Sequence, residues 1–430
     1  MHHYLLSKIR QFSVLLLLLT SVNSYADYTA ENRALLNSIP QDAANYLPSN
    51  GYSISHINQK PRTEKYLTRY FEPWEGKKLT QSLADIKQSE SAIIKGFRKK
   101  PGIGANSLEH DSQWVDQLAS NMNVASFPNL NMKAITVRNS DVRQLPTEDT
   151  SFSAWNVEGN GFPFDNMQTS LVSANTPIRV LHTSRDGSWY LILTPNYYGW
   201  VPSYDVAFVD SDFIRQWQSR PKLVPRQDIM ATARKLSDPS VQLRIGTLYP
   251  LAAQTGNTYQ IYVAAADSNH QAVLKQVTVS KRYLAAFPLP ISTSNAVKIA
   301  NQMLGQPYGW GGMYGFRDCS ATIMDLMTTM GIWLPRNSAA QANVGQKISL
   351  ARMSDAEKQQ TIIKYGVPLF TLIHLPGHIM LYIGEKNGEA FVFHDGWSLR
   401  GTAVSSLQVR PHGGKTLLNL TDSMAVLVNS

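Results

Sequence analysis

"YGWGGMYGFRDCSATIMDLMTTMG", Tyr308 to Gly331, contains Cys319, the single cysteine among 430 residues. A glycine-rich loop leads into Asp318, a residue type that starts helices by accepting a backbone N–H on its side chain. Beyond it Cys319, Ile323, Met327 and Met330 fall on one helical stripe. The stretch therefore predicts a loop, a cap and a helix with the thiol in the first turn. There the helix dipole and the orphan N–H groups stabilise a thiolate and depress its pKa. A cysteine without such context is simply a small core hydrophobe, so the reading depends on what the rest of the chain brings to it.

Downstream, "HLPGHIMLYIGEKNGEAFVFHDGW", His374 to Trp397, reads as strand, Asn387-Gly388 turn, strand. A three-residue loop with Gly388 in the left-handed position puts Ile379, Leu381, Ile383, Phe391 and Phe393 on one face. His378, Met380, Tyr382, Val392 and His394 then share the other. A two-residue loop would mix the histidines with the aliphatics, so the odd loop is expected, and it makes His378 and His394 neighbours. A thiol nucleophile needs a base, and the base needs a third polar group to orient it; Cys319, His378 and His394 fill these roles in chain order. His374 competes for the role of base but precedes Pro376-Gly377, where strand geometry is least regular. A zinc site is disfavoured because no two candidate ligands share a short metal-binding spacing.

Working outward, Lys8 and Arg10 precede eleven largely apolar residues, Phe12 to Val22, and then Ser24-Tyr25-Ala26. That is the pattern of a cleaved export signal, and the run is short of the ~20 residues that span a bilayer. An exported chain, resident in the periplasm or cell envelope and without stable membrane insertion, is expected. Forty Lys+Arg stand against 31 Asp+Glu, a net charge of +9 that falls by two when Lys8 and Arg10 leave. The balance favours anionic polymers, but no dense basic run with interleaved aromatics points to nucleic acid. A lone cysteine in an oxidising compartment has no intramolecular disulfide partner. Roughly 400 remaining residues predict two to four compact units, each burying its own core.

Residues 27–131 read as helical, with Leu83, Ile86, Ile93 and Ile94 at helical intervals. His56 there has no second ligand candidate and reads as a packing residue. Near Met132 the period changes to two. "TPIRVLHTSRDGSWYLILTPNYYGWVP" suits a small antiparallel barrel, 132–210. Its long insertion, Phe152 to Asp165, carries Trp155, Glu158 and Phe164, and loops of that length are often functional. A second alternating stretch, Ser240 to Ser280, predicts another barrel within 211–288, and "AAFPLPISTS", Ala285 to Ser294, leads into the last unit, 289–430.

"QPYGWGG…DCSA", "LPRNSAAQ", "GHIMLYIG" and "FVFHDGW" together resemble the NlpC-type, papain-like cysteine peptidases of bacterial cell walls. The segment "S-x-D-G-x-W-Y" followed by "G-W-V" is similar to bacterial SH3-like modules. The resemblance implies a multidomain α+β protein: a signal peptide over 1–26, an N-terminal helical unit, two small SH3-like β-barrels and a C-terminal papain-like α+β catalytic domain. It implies cleavage of the γ-D-glutamyl–diamino acid amide in peptidoglycan stem peptides, with Cys319, His378 and His394 as triad and no cofactor. It also carries Tyr308, Asp318 and Ser320 over as substrate-binding residues, with Asp318 and a carboxylate of the insertion, Glu158 or Asp165, meeting the substrate's amino end. Ala321 stands where many members have Gly, and Arg336 is either a structural ion-pair partner or a substrate contact. The rival readings are a wall-binding scaffold with an inactive peptidase unit, and a thiol acyltransferase or transglutaminase.

Overall fold

The computed structural model describes residues 30–48, 58–75, 81–155, 157, 159–229, 238, 241–411 and 414–428. The export signal, His56 and Glu158 lie outside the described residues. Helices α1 (Gln59–Tyr70), α2 (Leu83–Lys99) and α3 (Ser112–Met122) precede the sheets; α4 (Ser211–Ser219) joins the two β units; α5 (Thr293–Met303), α6 (Cys319–Thr329) and α7 (Asp355–Tyr365) belong to the last unit. The first β unit has β1 (Met132–Thr136), β2 (Ser140–Arg143), β3 (Gln168–Val172), β4 (Pro177–Thr183), β5 (Trp189–Leu193), β6 (Tyr198–Pro202) and β7 (Val206–Phe208), ordered β3-β2-β6-β5-β4-β1-β7. The second has β8 (Lys222–Pro225), β9 (Tyr249–Thr255), β10 (Thr258–Ala266), β11 (Ala272–Ser280) and β12 (Leu284–Ala286), ordered β11-β10-β9-β8-β12. The third sheet has β13 (Gln346–Ser349), β14 (Thr371–Leu375), β15 (His378–Lys386), β16 (Glu389–Gly396), β17 (Gly401–Ser406) and β18 (Ser423–Val426), ordered β13-β18-β14-β15-β16-β17 and antiparallel throughout.

Each β unit buries its own aliphatic set, Val142, Ile178 and Val201 in the first, Leu223, Ile261 and Val277 in the second. The helical segment does not, contrary to the expectation of a self-contained unit. Tyr66, Tyr70, Phe71 and Trp74 join the same core as Ile323, Met327 and Phe393 of the last unit. Ile86, Ile94, Val115 and Met122 join Leu181, Leu191 and Trp200 of the first β unit. Short amphipathic helices are marginal alone and gain stability from the faces they cover, so here they fasten two neighbours. Polar ties follow the same division: Trp74 Nε1 donates to the carbonyl of Ala134 (2.7 Å), and Gln59 Nε2 to those of Leu289 and Met330.

The hairpin that carries both histidines departs from expectation at its turn and agrees with it at the site. Asn387 and Gly388 both have positive φ and form a two-residue turn, with Lys386 opposite Glu389; Asn-Gly suits the primed turn whose twist matches the strands. A bulge at Ile383 then shifts the register, so that Tyr382 faces Val392 and Leu381 faces Phe393, the pairing the odd loop would have produced. The extra residue is absorbed inside the strand rather than in the loop. Gly384 beside the bulge has φ 137°, and a Cβ there would lie 1.8 Å from the carbonyl oxygen of Tyr46. The N-terminal segment sits directly on the bulge.

Glu90 is a carboxyl in the otherwise apolar joint between α2 and the first β unit, 1% exposed, accepting from Trp200 Nε1 at 2.8 Å. Burial pushes its pKa up to about 7. A pKa raised on folding means that the native state binds the extra proton, so stability is present below the unfolded value and falls as pH rises to about 7. Glu90→Gln keeps an acceptor for Trp200 and removes that loss. Thermal denaturation is expected to give a variant more stable than wild type at pH 8, by up to ~3 kcal/mol, with the gain vanishing near pH 4.5; a pH-independent difference would refute the assignment.

Candidate active site

Asp318 begins α6 in the expected way: its backbone is extended and its Oδ1 accepts from the N–H of Ala321 at 2.9 Å. The helix is buried almost all round, with Ile323, Leu326, Met327 and Met330 at 0% exposure, which makes it the central strut of the last unit. Cys319 is buried at its first position and its thiol accepts from the N–H of Ile379, the residue after His378. His378 Nε2 lies 2.9 Å from His394 Nδ1, and His394 Nε2 lies 2.8 Å from Ser405 Oγ on β17. A chain of hydrogen bonds thus runs Ser405, His394, His378. If His394 donates to Ser405 and accepts from His378, the remaining lone pair of His378, on Nδ1, is free to take a proton.

His374, the competitor for the role of base, is engaged elsewhere: its Nδ1 pairs with Asp422 Oδ1 at 2.8 Å. The register pairs Leu375, not His374, with His378, so strand alternation turns the side chains of His374 and His378 to opposite faces. Among the described residues, no group of three or more His, Cys, Asp or Glu side chains is placed to hold a metal ion.

The residues expected to meet substrate are found in different situations. Ser320 Oγ donates to Asp318 Oδ1 at 3.0 Å. Asp318 forms a two-pronged ion pair with Arg336 at 3.0 and 2.7 Å, and Arg336 also donates to Ser320 and, at 2.7 Å, to Ser170 of the first β unit. Of the two roles open to Arg336, the structural ion pair is the one present. Asp318 is consequently neutralised in place, and its pKa lies below the usual carboxylate range: burial alone would raise it, but Arg336 and the helix-start N–H groups outweigh burial. Tyr308 is half-buried, and its hydroxyl is held far above its ordinary pKa by burial and by the nearby Cys319, Asp318 and Asp395.

Asp165 does not await a substrate ammonium. It is fully buried, its Oδ2 takes Arg143 at 2.8 Å and its Oδ1 accepts from Ser151 and Met167 N–H groups. Its charge is consumed in folding the insertion. The insertion itself reaches the site through aromatic contacts: Phe164 meets Trp310 and Trp397 edge-on, Phe162 meets Trp397 and Tyr314, and Trp310 Nε1 donates to the carbonyl of Asp165 at 3.0 Å. Trp397 also meets Tyr308. The first β unit therefore packs against the loop that precedes Cys319 and against Trp397.

Two residues escaped the sequence reading. Ser405 acts through a distant partner that carries no local signal. Asp395 follows His394, and alternation turns it to the opposite face, where Thr322 of α6 donates to its Oδ2 at 3.2 Å. Burial and the charge of Asp318 push its pKa up to about 8.

A thiol at a helix start, held by the N–H next to a strand-borne histidine that is itself hydrogen-bonded to a second histidine, is the arrangement of a papain-like cysteine hydrolase. Three family profiles match the chain: the NlpC/P60 family over residues 305–411, the NlpC/P60 stabilising N-terminal domain over 12–127, and an SH3 domain of the SH3b1 type over 151–202. The C-terminal unit is thus an NlpC/P60 domain, the domain of cysteine peptidases that act on peptidoglycan, within a multidomain chain. It is similar to a solved NlpC/P60 endopeptidase from Photobacterium damselae subsp. piscicida, with a TM-score of 0.81 and 27% identity over 91% of this chain and 97% of that one. It also matches the gamma-D-glutamyl-L-lysine dipeptidyl-peptidase of Bacillus subtilis (strain 168), 23% identical over 48% of this chain and 67% of the relative.

The electrostatics correct one expectation, that of a preformed thiolate. Burial and the Asp318 charge push the Cys319 thiol up to about 12, against the Ile379 N–H and Arg336, and burial pushes His378 down to about 4. The substrate-free site is therefore a neutral thiol beside a neutral imidazole, and the proton moves only when a carbonyl is attacked. Iodoacetamide alkylation of Cys319 should accelerate continuously from pH 6 to pH 9, as the thiolate fraction grows. A rate already level from pH 5 upward would mean a standing ion pair instead.

Proposed function

We propose that this protein hydrolyses the amide between γ-D-glutamate and the diamino acid of peptidoglycan stem peptides, in the periplasm or cell envelope. The observation that carries the reading is the Ser405–His394–His378 hydrogen-bond chain next to a thiol at a helix start, with an SH3-like unit packed against the loop before it and against Trp397. The name of the Bacillus subtilis relative supports it: a dipeptidyl-peptidase releases two residues from a free amino end, and a groove that this unit closes at one end would measure such a length.

Cys319 is the nucleophile, His378 the base and His394 the orienting residue. The thiol proton passes to His378 Nδ1 as sulfur bonds to the carbonyl carbon. The resulting oxyanion is met by the N–H of Cys319. Protonated His378 gives its proton to the leaving amine, the C–N bond breaks and a thioester remains. Water then attacks the thioester carbonyl and loses a proton to His378, the C–S bond breaks to release the dipeptide as its free acid, and that proton returns to sulfur. Tyr308 and Ser320 line the dipeptide end. Asp318 contributes there with its charge already shared by Arg336, so polarity rather than a free carboxylate meets the substrate's ammonium. We take 27–131, 132–210, 211–288 and 289–430 as the segments of this architecture; the five-stranded antiparallel sheet of the second β unit supports reading it as a further SH3-like module.

The test uses the stem tripeptide L-Ala-γ-D-Glu-diamino acid. Wild type should release the free diamino acid. Cys319→Ala should lower kcat/KM at least ~1,000-fold and His378→Ala about as much, with His394→Ala costing about 10- to 100-fold because water can replace an orienting group in part. N-acetylation of the L-alanine should reduce turnover by more than tenfold, the effect of about 1.4 kcal/mol. Undiminished cleavage by Cys319→Ala would end the peptidase reading. Transfer of the dipeptide to an added amine in place of water would establish the acyltransferase alternative, and tight binding without turnover the scaffold.

A further inference from the structure

The segment 306–317, which leads into the nucleophile, has a backbone that local preference does not hold. Gly311, Gly312, Tyr314 and Gly315 all have positive φ, from 56° to 91°, and Tyr314 adopts it with a side chain. Its crown is held by the first β unit, through Trp310 and through Gln168 Nε2, which donates to the carbonyl of Gly311 at 3.0 Å. Its base is held by the second. Asp228 accepts from Gln306 Nε2 at 2.8 Å and from Arg317 at 2.6 and 3.0 Å, so one carboxylate ties both ends of the loop. Arg244 donates to the carbonyls of Gly315 (2.5 Å) and Phe316 (3.2 Å) and lies 3.4 Å from Asp325 on α6. Arg317, 2% exposed, completes the ring by donating to Asp325 at 2.7 Å and to the carbonyl of Ile245 at 3.1 Å. Two charges from the second β unit and two from the peptidase unit thus form a buried cluster that ends two residues before Cys319.

We infer that the second β unit is a positioning device for the nucleophile, with Asp228 and Arg244 as positioning residues that fix the 306–317 loop and the start of α6 against His378. An apolar patch would dock two units at lower desolvation cost. Forked guanidinium–carboxylate pairs add direction, because both prongs must be met at once. Direction matters here, since a displacement near 1 Å of a reacting group costs about 100-fold in rate. Asp228 remains ionised at working pH: burial would raise its pKa, but Arg317 and Arg244 hold it at about 2. The cluster is a fixed brace and not a pH switch.

The brace is tested in the full chain by two variants that perturb it differently. Asp228→Asn removes one charge with little change of shape. Gly246→Ala removes none, but a Cβ there, at φ +92°, would lie 2.6 to 2.8 Å from the Asp325 carboxylate and drive it off Arg317. In both, kcat for the stem tripeptide should fall about 10- to 100-fold with KM changed less than about threefold, and the rate of Cys319 alkylation by iodoacetamide should change by at least about threefold. Arg317→Lys, which cannot bridge both carboxylates, should match Asp228→Asn. Asp228→Glu, which keeps the charge on a longer arm, carries the test if Asp228→Asn does not fold. Folded variants with a lowered Tm but with kcat and alkylation within twofold of wild type would overturn the inference and leave the cluster as docking alone. Alkylation requires no substrate, so this result is independent of the bond proposed above.

Discussion

Asp318 is a carboxylate taken almost wholly out of water at the start of a helix, and the unit around it is arranged to keep it there. Four donors, two from its own turn and two from Arg336, satisfy its oxygens. Arg336 is anchored in turn on Ser170, so a residue of the first β unit stabilises the N-cap of the catalytic helix. Removing either partner of such a buried pair leaves an uncompensated charge, typically at a cost of about 3–5 kcal/mol. The helix start, the orientation of the thiol and the docking of the first β unit are therefore one event.

The sharing of cores follows the same logic. A papain-like unit is an open groove, and in the function proposed above it measures two residues, which needs a wall that does not breathe. The insertion supplies it with an aromatic side chain set edge-on against Trp310 and Trp397, while Arg143 and Asp165 stiffen it from within. Helices α2 and α3 then cover the outer face of the first β unit, and α1 with the aromatic run Tyr66 to Trp74 covers the joint between that unit and the peptidase core. In this arrangement the stabilising segment acts as a strap across the back of the groove.

Much of the site was legible in the sequence because its signals are local. Asp318 before an apolar helical stripe marks an N-cap, and alternation in β15 and β16 pairs the faces of His378 and His394. The turn was misread because Asn-Gly supports two loop lengths, and the one-residue correction was hidden at Ile383, beside a glycine whose need, a positive φ and the pressure of Tyr46, appears only in the folded chain. The thiolate expectation failed for a similar reason: a helix dipole can be read from sequence, but burial beside Asp318 cannot. Asp165 looked available because its partner Arg143 lies 22 residues away, and the division of residues 30–127 between two cores depends on faces that only the assembled units present.

The central claim is that Cys319 attacks the γ-glutamyl carbonyl and carries the dipeptide as a thioester. Rapid mixing of the wild-type protein with L-Ala-γ-D-Glu-diamino acid, acid quenching within milliseconds and peptide mass spectrometry test it directly. The account predicts a transient mass increase equal to L-Ala-γ-D-Glu less one water, confined to the peptide that contains Cys319 and discharged by hydroxylamine. Turnover without any such adduct, or an adduct on another residue, would contradict it.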